Sequence, residues 1–227
     1  MNSLSVTRSL CLSAASLALA LALALAGGCS SLLPKPPPQP AFYSLDGTPA
    51  TRPALPMEMV APTLIVNPPR ATAGFDSQRI IYTRESHRLE YFAHSEWADT
   101  PARMLAPLLV AALDDKLAFR AVVMAASVAA GDLRLDTEII RLQQNFDTQP
   151  SRVRFTLRAV MVDNATRRVL AWREFDETVA ATSDDPQGGV MAANRAVQTV
   201  LHQVASFCAE AAGPWRPASG DASPPAR

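Results

Sequence analysis

Alternating apolar and polar residues predict three consecutive β-strands in the second half of the chain. From Arg152 to Val162 the odd positions are apolar, and the even positions are mostly arginine or threonine. The stretch from Leu133 to Phe146 alternates in the same way but slips by one position at Ile139-Ile140, which predicts a β-bulge there. The turn Asn164-Ala165-Thr166 leads into a third strand, Val169–Val179. We expect an antiparallel meander with one solvated face.

A helical repeat of apolar residues predicts a helix from Pro101 to Leu117. Asp99 or Thr100 can cap it, and proline suits its first turn. Pro107 removes a backbone donor, so we expect it to kink the helix or to separate its first turn. One face carries the apolar residues Met104, Leu105, Leu108, Leu109, Ala112, Leu113 and Leu117.

A second helix is predicted at the end of the domain. Asp185 can cap it, Pro186 can take its first position, and Gly213 and Pro214 stop it after Ala212. Its apolar stripe consists of Val190, Val197, Leu201, Val204 and Cys208.

Short runs of β-branched and aromatic residues predict four further strands, at Thr63–Asn67, Arg79–Tyr82, Leu89–His94 and Phe119–Met124. Together, these elements predict a mixed α/β (α+β) fold. We expect one domain, residues 41–212, in which a mixed sheet with an antiparallel meander packs against two main helices.

The N-terminus predicts a lipoprotein signal peptide over residues 1–28. Arg8 precedes an uncharged Leu- and Ala-rich stretch, and small residues follow it, as in secreted proteins. An uncleaved transmembrane helix is the alternative, although the stretch is at the short end of the roughly 17–25 residues that span a bilayer. Leu25-Ala26-Gly27-Gly28-Cys29 resembles the bacterial lipobox, which predicts lipid on Cys29. Ser30 in the next position favours the periplasmic face of the outer membrane.

The mature chain begins and ends in segments that disfavour regular structure. Residues 29–40 hold the lipidated cysteine and a linker with five prolines, which favours an extended spacer. Residues 213–227 are rich in proline and poor in apolar residues, which predicts a disordered tail.

Charge and cysteine content exclude several classes of protein. Lys plus Arg and Asp plus Glu number 21 each, so no basic surface for nucleic acid is indicated. Cys11 leaves with the signal and Cys29 takes the lipid, so Cys208 has no partner and a disulfide framework is excluded.

The candidate chemical groups do not form a recognisable active site. His87, His94 and His202 lack the spacing of a metal site, and the nucleophile motif GxSxG is absent. The carboxylate doublets Asp114-Asp115 and Asp184-Asp185 fit a polar helix face and a helix start. We therefore predict no catalytic residues, no metal and no cofactor.

One stretch of the domain resembles a known family. Gln78–Arg84, Leu89–Ala93 and Glu96–Leu105 are similar to the signature of the ABC-type transport auxiliary lipoproteins, the PqiC-like proteins. Weaker matches are Phe42–Asp46 and Asp132–Leu135. The resemblance spans about residues 41–210.

The resemblance implies a non-catalytic role in an Mce-type ABC system that moves lipids between the inner and outer membranes. The implied partners are an Mce-family protein and, through the lipid anchor, the membrane; self-association into a homo-oligomer stays open. An envelope assembly or structural lipoprotein and a lipid-tethered periplasmic enzyme are the alternatives. Gene neighbours encoding a permease, an ATPase and an Mce protein would favour transport.

Within the family signature, Arg79, Tyr82, Tyr91 and Trp97 form a candidate partner surface. The same aromatic residues are also ordinary strand and core residues. Core packing and partner docking therefore both remain open for this set.

Overall fold

The computed structural model describes residues 39–47, 61–125 and 131–216. The predicted signal peptide, Cys29, nearly all of the linker and residues 217–227 lie outside these ranges. Nine strands and two helices follow one another in the described residues: β1 (Ala41–Tyr43), β2 (Thr63–Val66), β3 (Arg70–Ala71), β4 (Arg79–Thr83), β5 (Glu90–Trp97), α1 (Pro101–Asp114), β6 (Ala121–Met124), β7 (Leu133–Asn145), β8 (Arg152–Asp163), β9 (Val169–Ala180) and α2 (Pro186–Ala212).

The predicted meander is confirmed by the pairing of β7, β8 and β9. Both pairs are antiparallel, and β8 lies between β7 and β9. The register of β7 shifts between Ile139 and Arg141, which is the bulge that the slipped alternation predicts.

The other edge of β7 carries three short strands one after another. β2 pairs in parallel with its start, β3 with its middle and β4 with its end. The sheet extends from β2 to β6, and from β4 through β5 to β1. The mixed sheet is open. The β8–β9 turn lies beside Leu133 at the start of β7, whereas β1 is level with the part of β7 around Arg141.

The core lies between the helices and one face of the sheet. Val153, Phe155, Leu157, Ala159 and Met161 are buried, as the alternation of β8 predicts. Thr156 was expected on the solvated face but is also buried. Its hydroxyl donates to Asp176 Oδ1 at 2.7 Å, so a polar partner on β9 satisfies it. On the helix side, Val197, Val204 and Cys208 of α2 are buried.

Helix α1 is shorter than predicted but is not divided. Pro107 lies inside it, so of the two expected effects the separation of a first turn is wrong, and the kink stays a prediction. Thr100 occupies the cap position without a side-chain hydrogen bond to the helix. The helix ends at Asp114, and Leu117 lies beyond it with a φ of +54° and a partly exposed side chain. The chain has left the helix by turns closed at Leu113 and Asp114, so Leu117 does not continue the apolar face.

Helix α2 begins as predicted. The Asp185 carboxylate accepts the backbone N–H of Gly188 at 2.8 Å, and Pro186 occupies the first turn. Gln144 of β7 packs against this turn and donates to Ser151 Oγ at 2.8 Å. The start of α2 is thereby fixed to the sheet.

Gly188→Ala is expected to destabilise the domain by roughly 1–3 kcal/mol, because a Cβ there would overlap the backbone of Ser183. Backbone atoms can give way only if the turn before α2 moves. Thermal unfolding of the variant measures the effect. Gly213→Ala is the matched control: φ is −54°, the nearest atom would be 3.4 Å away, and no loss of stability is expected.

The C-terminal end of α2 is followed by an ordered contact. Trp215 is half-buried, and its indole N–H donates to Asp163 Oδ2 at 3.1 Å. Residues 213–216 therefore pack on the domain, and the predicted tail stays a prediction for residues 217–227.

Candidate docking surface

Strands β1, β4 and β5 bring the family-signature residues together. Phe42 on β1 and Arg79 on β4 are both register partners of Glu96 on β5. Register partners share one face of a sheet, so Phe42, Glu96 and Arg79 lie on one face. The register of β4 with β5 shifts between Arg79 and Ile81, and the Arg79 side chain contacts the Tyr91 ring across this shift. We call Phe42, Arg79, Tyr91 and Glu96 the Tyr91 face.

Two of the four candidate residues are buried. Trp97 is 3% exposed, and its register partner Tyr43 packs against the core. Tyr82 is 9% exposed, and its ring centroid lies 4.5 Å from that of Phe92 and 5.7 Å from that of Phe146. A hydrogen bond with Glu90 raises the pKa of Tyr82. Both side chains pack inside the domain and leave little surface for a partner.

The other two candidates are exposed and contact each other. The guanidinium carbon of Arg79 lies 3.9 Å from the centre of the Tyr91 ring, which is cation–π geometry. Tyr91 is 51% exposed. The stacked arginine restricts the tyrosine ring before any partner arrives, which lowers the entropy cost of binding.

Phe42 is a residue of this face that sequence reasoning missed as a site residue. Its side chain is 63% exposed although it is large and apolar. A three-residue strand is too short for periodicity to assign faces. The pairing of β1 with β5 was needed to place Phe42 on the same face as Arg79, with Glu96 between them.

The cysteine, one aspartate with a shifted pKa and two of the histidines in the described residues lie apart from one another. Burial raises the pKa of the Cys208 thiol to about 12, so it is protonated near neutral pH and a weak nucleophile. A backbone hydrogen bond from Ser151 lowers the pKa of Asp184. His87 and His94 are exposed. In the described ranges, no group of three or more His, Cys, Asp or Glu residues could hold a metal ion.

An open cleft of about 420 Å³ lies between α1 and α2. Lys116 Nζ and His202 Nε2 lie 3.3 Å apart at this cleft, and Asp115 also lines it. None of its described lining residues carries a hydroxyl or thiol nucleophile.

Comparison with protein families gives a match over residues 43–205, to the ABC-type transport auxiliary lipoprotein component. The match covers well over half of the chain. This protein belongs to the ABC-type transport auxiliary lipoprotein family. The family prediction from the signature strands is thereby confirmed.

Solved structures show the same fold. Protein XCC0632 from Xanthomonas campestris, of family DUF330, superposes with a TM-score of 0.66 at 22% identity, covering 75% of this chain and 95% of that one. A crystal structure of an uncharacterized protein gives a TM-score of 0.57 at 15% identity, covering 76% and 98%. No curated protein matches. In the described residues of this protein, no helix is long and apolar enough to cross a membrane.

Proposed function

We propose that this family member is the non-catalytic, lipid-anchored auxiliary subunit of an Mce-type ABC transporter that moves lipids between the inner and outer membranes. Lipid on Cys29 holds it at the periplasmic face of the outer membrane, and the Tyr91 face docks the Mce protein. The exposed, prestacked Arg79–Tyr91 pair within the family signature is the observation that carries the docking proposal.

Arginine and tyrosine are suited to such a role. Both are enriched among interface residues that contribute most to binding energy. Phe42 and Tyr91 add exposed aromatic area, and Arg79 adds a guanidinium that can pair with a partner carboxylate. The aromatic rings therefore suit an apolar partner patch with a carboxylate opposite Arg79, and Glu96 adds one negative charge to the same face.

The sequence supports the anchoring part of the proposal. The segment before Cys29 resembles the lipobox, and Ser30 favours the outer membrane. Fully extended, the spacer that follows reaches roughly 35 Å from the lipid at about 3.1 Å per residue, so the domain can lie anywhere within that distance. This reach lets the Tyr91 face meet a partner that stands away from the bilayer.

Tyr91→Ala and Arg79→Ala are each expected to weaken capture of the proposed Mce partner. A hot-spot truncation costs on the order of 2 kcal/mol, which is roughly a 30-fold loss of affinity. Because both side chains are exposed, thermal stability should stay close to that of the wild type. Pull-down of the purified Mce protein and thermal unfolding are measured on the same preparations.

Met191→Ala is the matched control for this experiment. Met191 is half exposed on α2, away from the Tyr91 face, so its truncation should leave capture unchanged. Equal loss of capture in all three variants would contradict a specific Tyr91 face. Wild-type protein that never captures the Mce protein would remove the Mce proposal itself.

A further inference from the structure

The turn between β8 and β9 exposes apolar side chains at the end of the sheet away from β1. Trp172 is 66% exposed, and Val169 and Leu170 are exposed beside it. Trp172 pairs in register with Val160, and Val169 pairs with Val162, so these four residues share the open face of the sheet. We call residues 163–173 the hairpin end.

Two arginines of the turn lie beside this apolar surface. Arg167 and Arg168 are exposed, and neither forms an ion pair with another residue in the described ranges. Arg173 is on the opposite face of the sheet, because it pairs in register with Ala159 and its guanidinium carbon lies 5.1 Å from the centre of the Phe207 ring of α2. The charges of Arg167 and Arg168 are therefore the ones available to an anionic partner.

The carboxylates near the hairpin end are occupied within the domain. Asp163 accepts the backbone N–H of Thr166 at 2.8 Å and the indole N–H of Trp215. Glu174 accepts from Arg158 at 3.1 Å. The hairpin end is therefore apolar and net basic.

We propose that the hairpin end docks onto an anionic phospholipid surface. Tryptophan rings sit at the boundary between headgroups and acyl chains, where their apolar body and polar N–H are both accommodated. Each arginine near an anionic bilayer adds electrostatic attraction. Trp172, Val169 and Leu170 enter the interface while Arg167 and Arg168 contact lipid phosphates.

The membrane that carries the proposed anchor is within reach of the hairpin end. β8 has 12 residues, so the sheet is about 40 Å long at about 3.3 Å per residue. The spacer attaches at β1, which is level with the part of β7 around Arg141, and extends for roughly 35 Å. The domain can therefore lie along the bilayer with the hairpin end in contact. This geometry rests on the proposed lipid at Cys29.

The test uses the lipidated protein reconstituted into vesicles that contain a lipid brominated on its acyl chains, which quenches nearby tryptophans. One set contains phosphatidylcholine alone, and the other contains equal parts of phosphatidylcholine and phosphatidylglycerol. We expect tryptophan quenching only in the anionic vesicles, and its loss in Trp172→Phe. Trp97 and Trp215 remain as the background signal in that variant.

Charge variants distinguish docking through the hairpin end from a general electrostatic attraction of the domain to anionic vesicles. Arg167→Gln with Arg168→Gln should weaken docking by about fivefold for each arginine removed. The charge-matched control, Arg70→Gln with Arg152→Gln, removes two exposed arginines outside the hairpin end and should leave quenching unchanged. An equal loss in both double variants would overturn the assignment to this end.

The outcomes distinguish the failure of this proposal from the failure of the anchor. Protein that stays out of the vesicle fraction indicates that Cys29 carries no lipid. Protein that is bound to vesicles but unquenched at Trp172 overturns membrane docking. If the hairpin variants then lose capture of the Mce protein, the surface is a protein interface and the lipid proposal is wrong.

Discussion

Replacing Trp97 with alanine is expected to lower the free energy of unfolding by about 3–5 kcal/mol. The side chain is 3% exposed and belongs to the continuous core, together with Leu45 and Ile80. Removing it leaves a cavity beside Ile80, Leu142 and Val190, between the sheet and the start of α2. Chemical denaturation monitored by circular dichroism gives the free energy directly.

Phe42→Ala is the control for the Trp97 variant. It also removes a large aromatic side chain, from the neighbouring strand β1, but at a site that is 63% exposed. Its stability should change by no more than about 0.5 kcal/mol. A Trp97 variant as stable as the control would show that the ring contributes no core packing, contrary to its burial.

Cys29→Ser is expected to abolish lipid attachment completely. Serine offers no thiol for the acyl transfer, so the precursor should keep its signal peptide and remain at the inner membrane. Metabolic labelling with a radioactive fatty acid, followed by separation of the two membranes, measures both effects. Each buried methylene of a lipid chain adds about 0.8 kcal/mol of membrane-binding free energy. The loss of several chains therefore weakens membrane attachment more than contacts of the domain can offset.

Cys208→Ser serves as the control, because Cys208 is buried and distant from the N-terminal segment in sequence. Its fatty-acid label should equal that of the wild type. Label on the Cys29 variant equal to that on the wild type would contradict the proposed anchor.

Local patterns predicted the elements whose signals lie within one segment. The bulge in β7 followed from the Ile139-Ile140 doublet, because a slip in a two-residue period has a single structural meaning. The start of α2 followed from Asp185 and Pro186, which satisfy a helix start by local chemistry.

Long-range pairing could not be predicted in the same way. β1 and β3 have three and two residues, and only their partners on β5 and β7 make them strands. The signature aromatics posed the same difficulty, because Tyr91 and Trp97 both suit a strand. The register of β4 with β5 decides that Arg79 stacks on Tyr91 while Trp97 packs inward.

The position of β1 has a mechanical consequence. With the proposed lipid on Cys29 and a docked partner, tension along the spacer would act first on the three-residue edge strand β1 and be carried by the β1–β5 pairing. Release of β1 would lengthen the tether by about 10 Å at about 3.3 Å per residue. The next segment is held differently: Asn194 of α2 accepts the N–H of Asp46 at 2.6 Å and donates to the Ser44 carbonyl at 3.2 Å. These hydrogen bonds would keep residues 44–46 attached to α2 after β1 separates from β5, so the core would stay folded.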